Sequence, residues 1–350
     1  MTHVPELGPE CDGVSSRVVG VSSTDEPPAE GPAATPSREQ GRSARGTALR
    51  WAFYGATAVA FGWFAWKVEW SQLEDVSVRW GWVAAATAVG LLFCYVGAFT
   101  WRVVLVGLGA RALPPFRTLA DVHAKAWLAR YIPGTLPWIA GKLYLAAQLG
   151  IQRSRLAVSA LVEAAAQVVA AGTVSLLLLA IDPRIGQISP TLRLAVAIGA
   201  LVGLGAMTPP VFNRILRLGF RVLRRGAPDA VDWPLVGRSL ALYSAGALVS
   251  GASFALLVLA IAPEAGPGDL LFLVGAYGFA GVVGMLTPLV PSGLGTKDAT
   301  LLVLLLLVVT APTAALVVLV SRVWSAAVDV LFWAVAVGLE RLRRSQALRG

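Results

Sequence analysis

The chain has 350 residues, of which 56% are apolar and only 14% charged, and its mean hydropathy is +0.69. A soluble domain carries about 25% charged residues, so the composition excludes a soluble enzyme or binding module and requires an integral membrane protein. The formal charge of +9 sits in loops and at the chain ends, which is a positive-inside pattern and not a nucleic-acid footprint.

Residues 1–46 are rich in Pro, Gly, Ser, Glu and Ala and lack periodic apolar positions. They cannot bury enough surface to offset their conformational entropy and are predicted to be a disordered cytoplasmic tail ahead of a membrane domain spanning 47–350. Leu49–Trp66 is the first predicted span, flanked by Trp51, Trp63, Trp66 and Trp70 as interfacial aromatics. Gly81–Leu108 is the second. Arg117–Arg130 is a helical stretch interrupted by Asp121, His123 and Lys125, and it runs into a break at Pro133–Gly134. The Asp121–Lys125 spacing reads as a solvated face. Leu156–Ile181 and Leu192–Thr208 are the third and fourth spans, the latter stopped by Pro209–Pro210. A basic loop follows, with Arg214, Arg217, Arg221, Arg224, Arg225 and Arg238. Leu235–Ala262 is the fifth span. Leu270–Leu289 and Ala299–Thr310 flank a second break at Pro291–Gly295, and Thr313–Leu339 is the last span before a basic C-terminus.

The pieces on either side of Pro133 are each about 15 residues, some 22 Å of helix, too short to cross the hydrocarbon core comfortably. They are predicted to form a re-entrant hairpin, and the same plan recurs around Pro291. Pro133 to Glu163 is 30 residues and Pro291 to Arg322 is 31. If each hairpin returns to its own side, the basic loops and both termini fall in the cytoplasm and the acidic loops outside. The two blocks then have opposite orientation. The predicted fold is an all-α membrane protein with about six full transmembrane helices and two re-entrant hairpins in an inverted repeat, a plan many transporters share.

Unwound backbone at membrane depth survives only beside a cavity or inside protein. A helix starting from such a break turns free N–H groups and a positive dipole end toward the gap. Lys142 and Lys297 add full charges there. With Arg130 and the glycines Gly134, Gly141, Gly293 and Gly295, they make the predicted cradle for an anionic lipid head group; Pro133, Pro137 and Pro291 supply the helix breaks. Glu163, Arg322 and Asp329 lie inside long apolar runs, where a charge costs several kcal/mol or more unless it is paired. They are predicted to form an intramembrane network, with Glu163 pairing Arg322 across the two repeats. The glycine runs Gly275–Gly278–Gly281–Gly284 and Gly199–Gly203 read as close helix packing. Two cysteines, Cys11 and Cys94, provide no disulfide framework, and with no Cys/His cluster no metal or cofactor is expected. No nucleophile–base pair or carboxylate cluster stands out, so no enzymatic activity is expected.

The RYIPG…GK block at Arg130–Lys142, the turn and Glu163 after it, and the PSGLGTKDA block at Pro291–Ala299 followed by Arg322 resemble the transmembrane region of lysylphosphatidylglycerol synthases, the flippase-like membrane half of the multiple peptide resistance factor. That family usually shows a Pro-Gly-Gly-like loop followed by Arg-Glu. Here Ser292 replaces a glycine and Lys297–Asp298 replace Arg-Glu, which preserves the charges. The resemblance implies a lipid-handling protein of the bacterial cytoplasmic membrane. The chain ends ten residues beyond its last predicted helix, so the flippase-like module without the soluble aminoacyl-transferase domain is expected. Its cargo would be an anionic phospholipid or a polyprenyl-linked or glycosylated lipid, and its possible partner a cell-envelope glycosyltransferase. The alternatives are an accessory subunit of such an enzyme, or a membrane-embedded transferase using Asp121 or Asp298.

Overall fold

The computed structural model describes residues 77–110, 113–129, 136–222, 232–287 and 295–347. The predicted tail 1–46, the span Leu49–Trp66, and the positions Arg130, Pro133, Gly134, Pro291 and Gly293 lie outside the described residues. Within them the chain is helical and has no strand. In order come α1 (Trp80–Gly107), α2 (Phe116–Leu128), α3 (Leu136–Gln148), α4 (Arg153–Ile181), α5 (Pro183–Ile188), α6 (Pro190–Ala206), α7 (Pro209–Val222), α8 (Trp233–Ile261), a 3-10 turn (Pro267–Asp269), α9 (Leu270–Leu286), α10 (Thr296–Leu305) and α11 (Ala311–Ala347).

By length and composition five of these can cross a membrane: α1, α4, α8, the 3-10 turn continued by α9, and α11. A sixth is added if α6 and α7, bent by 86° at the Pro209–Pro210 step, count as one span. The predicted straight span at Leu192–Thr208 is thus the shorter α6, followed by a helix running across it. Ser189 caps α6 by accepting the Leu192 N–H, and Pro190 takes the first helical position, where its missing donor costs nothing. Phe212 and Leu216 of α7 are buried against α4 and α8, whereas Arg214, Arg217 and Arg221 face outward. Pro137, predicted as a helix break, is the second residue of α3, so it starts a helix and does not interrupt one.

Lipid tails are as apolar as leucine, so close packing decides how such helices associate. A Cβ on Gly278 would come within 2.3 Å of Ser175 Oγ, and one on Gly203 within 2.4 Å of Thr173 Oγ1, so α9 and α6 both press onto α4. Gly251 of α8 lies against Val274 of α9 just as tightly, 2.9 Å from its Cα. Gly281 differs from its neighbours in the run, because a Cβ there meets nothing within 4 Å. It faces open space, which corrects the reading of that run as packing throughout.

The short helices pack in pairs, α2 with α3 and α9 with α10, and each pair leads into a long helix, α4 or α11. The 37-residue α11 is held at several heights. Glu264 accepts from Thr310 and Thr313 at its start, at 3.0 and 2.9 Å. The Trp324 indole donates to Thr87 Oγ1 of α1 at 3.1 Å, and near its end Glu340 accepts from Thr118 of α2, also at 3.1 Å.

Candidate functional site

A cavity of about 210 Å³ lies among α1, α2, α4, α8, α9, α10 and α11, large enough for on the order of ten waters. Both sequence blocks contribute to its wall. Glu163 and Gln167 come from α4 and His123 and Trp127 from α2; from the second block come Lys297 on α10 and Asp329 on α11. Tyr243 of α8 and Tyr277 and Gly281 of α9 complete the polar and small positions that matter below.

Glu163 does not reach Arg322. Its two carboxylate oxygens accept from Lys142 Nζ at 2.6 and 2.7 Å, and the side chains are only 3% (Lys142) and 8% (Glu163) exposed. Lys142 also sits over the Trp101 ring, 4.3 Å from its centroid. The reason is chain connectivity: α3 folds back on α4 through a short turn, so a lysine 21 residues upstream reaches the carboxylate first. The charge of Lys142 is therefore neutralised by its own repeat, and Gly141 beside it faces open space.

Arg322 makes the corresponding contact in the second block. Its Nε donates to Asp298 Oδ1 at 2.8 Å and its Nη2 to Oδ2, a bidentate pair between α11 and α10. The polarity is reversed. In the first block the cation is on the short helix and the anion on the long one; in the second the anion is on the short helix. Asp298 also accepts the Gly295 N–H at 3.1 Å, closing the first turn of α10. Gly295 is at φ +88°, a left-handed conformation that suits glycine. The N-terminus of α10, read as an open anion site, thus already carries a carboxylate of its own.

Lys297 is the cation that remains. Its Nζ lies 4.2 Å from the centroid of the Tyr277 ring, which is stacked on Phe254 at 4.5 Å, and among the described residues no carboxylate is within ion-pair distance. Asp329 Oδ1 accepts the Trp127 indole N–H at 2.9 Å, joining α11 to α2. His123, 4% exposed, stacks on Trp127 at 5.6 Å, and its Nδ1 is buried without a hydrogen-bond partner, as is Tyr243 Oη. Asp121 bonds Lys125 at 2.7 Å as the spacing predicts, but it is buried and does not lie on a solvated face.

His123, Trp127, Tyr243 and Tyr277 escaped the sequence reading. The available signal was the i,i+4 spacing of His123 and Trp127, which places both on one helix face. Among the described residues no three His, Cys, Asp or Glu side chains converge as metal ligands.

An all-helical bundle with spans, shorter helix pairs and an internal cavity walled by charged and polar groups defines a polytopic membrane protein of the transporter-like class. The family model described as the lysylphosphatidylglycerol synthase TM region matches residues 48–332, and the chain belongs to that family. This makes it a membrane protein of lipid and envelope biology. No curated protein matches it.

Proposed function

We propose that the protein is a lipid translocase of the bacterial cytoplasmic membrane, with both termini in the cytoplasm and α2–α3 and α9–α10 as oppositely inserted re-entrant hairpins. The head group of an anionic phospholipid or lipid-linked precursor occupies the cavity while its chains remain in the bilayer. A free-standing module of this kind would hand its lipid to an envelope enzyme such as a glycosyltransferase.

The observation that carries this reading is Lys297: an ammonium on the cavity wall, held by an aromatic face and not by a carboxylate. A cation–π contact is worth about 0.5–2 kcal/mol, less than a desolvated ion pair, so an incoming phosphate gains a charge that is not already spent. The transferase reading has less support, because Asp298 is engaged by Arg322 and Gly295, and Asp121 by Lys125.

The test is reconstitution into liposomes carrying fluorescent anionic lipid, with dithionite bleaching of the outer leaflet. The protein should accelerate exchange, and Lys297→Met should slow it by about tenfold, the loss of about 1.4 kcal/mol of binding. Equal rates in protein-bearing and empty liposomes, or an unaffected Lys297→Met, would overturn the proposal.

A further inference from the structure

We propose that the cavity selects a phosphodiester whose remaining head group is neutral and hydroxylated, a glycerol or sugar, over one bearing an ammonium. This rests on the reading above that Lys297 receives the phosphate.

Three features of the wall oppose a second cation. Glu163 is spent on Lys142 through both oxygens, and Asp329 Oδ1 takes the Trp127 N–H. The aromatic faces that would stabilise an ammonium are already covered: Tyr277 by Lys297, Trp101 by Lys142, and Trp127 by the stacked His123. Lys297 itself repels any cation that shares its cavity.

The groups left unsatisfied are neutral. His123 Nδ1 and Tyr243 Oη are buried, line the cavity and lack a protein partner. A buried polar atom without a partner costs about 1–3 kcal/mol. A hydroxyl, which both donates and accepts, satisfies an imidazole nitrogen in either tautomer and a phenol in either role. A ligand carrying several hydroxyls removes both deficits at once, and a site built to bond hydroxyls discriminates strongly against an analogue lacking them.

The experiment uses the full chain in nanodiscs, titrated with three dioctanoyl lipids and read by native mass spectrometry. Phosphatidylglycerol carries the phosphodiester and hydroxyls, phosphatidylmethanol the phosphodiester alone, and phosphatidylethanolamine an ammonium. Phosphatidylglycerol should bind about tenfold tighter than either of the others, the effect of one or two hydrogen bonds. His123→Phe and Tyr243→Phe should each narrow the gap between phosphatidylglycerol and phosphatidylmethanol; Tyr243→Phe removes a single oxygen and reads the same quantity should His123→Phe unfold.

Ethanolamine binding as tight as glycerol, or a glycerol advantage that both variants leave intact, overturns this inference while leaving the Lys297 reading in place. Binding of none of the three lipids, or binding indifferent to Lys297→Met, sinks the underlying reading instead. Glycerophosphoglycerol, the same head group without chains, should compete weakly. Displacement of lipid at equal concentration would assign the cavity to a soluble phosphodiester and overturn the lipid proposal.

Discussion

Gly278 and Gly281 sit one turn apart on α9 and do opposite things. The first has Ser175 Oγ where its Cβ would go, and the second has open cavity. Gly278→Leu should therefore destabilise the fold, whereas Gly281→Leu should leave thermal stability near wild type and abolish lipid binding by filling the space. Thermal unfolding followed by scintillation-proximity binding separates the two, and equal stability losses would refute the assignment. At this scale the sequence was partly readable. The depth of Glu163 and Arg322 in apolar runs demanded partners, yet depth alone does not name a partner. Lys142 prevails because it is tethered 21 residues away, whereas Arg322 finds Asp298 24 residues upstream in its own block. His123 and Tyr243 carry no such demand, because a neutral polar residue in a helix reads equally well as core or surface until its neighbours are placed.

At the level of elements, each short helix is clamped to the long helix after it by one ion pair, and the two clamps differ in exposure. Lys142–Glu163 is buried on both sides, whereas Arg322 is 32% exposed against 4% for Asp298. Removing one partner of a buried pair leaves an uncompensated charge and costs about 3–5 kcal/mol, while replacing both by apolar groups is often neutral. Lys142→Met and Glu163→Leu should thus each cost on that order, and the double variant should recover most of the loss. A thermodynamic cycle in mild detergent measures the coupling, and additive losses would mean the pair is not a clamp. The helices themselves were legible from apolar run length and Pro/Gly punctuation. The exception is α7, where Phe212 and Leu216 pull an otherwise basic helix onto the bundle at 86° to α6. A tertiary contact, not a local signal, sets that angle.

For the whole molecule, the cavity wall draws on both sequence blocks, and α11 and α2 meet across it at Asp329–Trp127 and again at Glu340–Thr118. If transport needs these two helices to part, joining cysteines at Thr118 and Glu340 with a short bifunctional thiol reagent should leave lipid binding intact and stop exchange between leaflets. Full exchange by the cross-linked protein would place the moving parts elsewhere. The spacing of 30 and 31 residues between each proline and its intramembrane charge pointed to a duplicated plan. The reversed polarity of the two clamps was beyond it, because polarity depends on which residue of each block folds back.

At 37 residues α11 is about 55 Å of helix, well beyond the roughly 30 Å of a hydrocarbon core. It works as a lever. Arg322 and Asp329 lie about 10 Å apart along it, one gripping α10 and the other α2. A tilt that eases one grip must strain or relax the other in the same stroke, so the two mouths of the cavity are geared together. Anything that seizes the projecting end of that rod could set which mouth stands open without ever entering the bilayer.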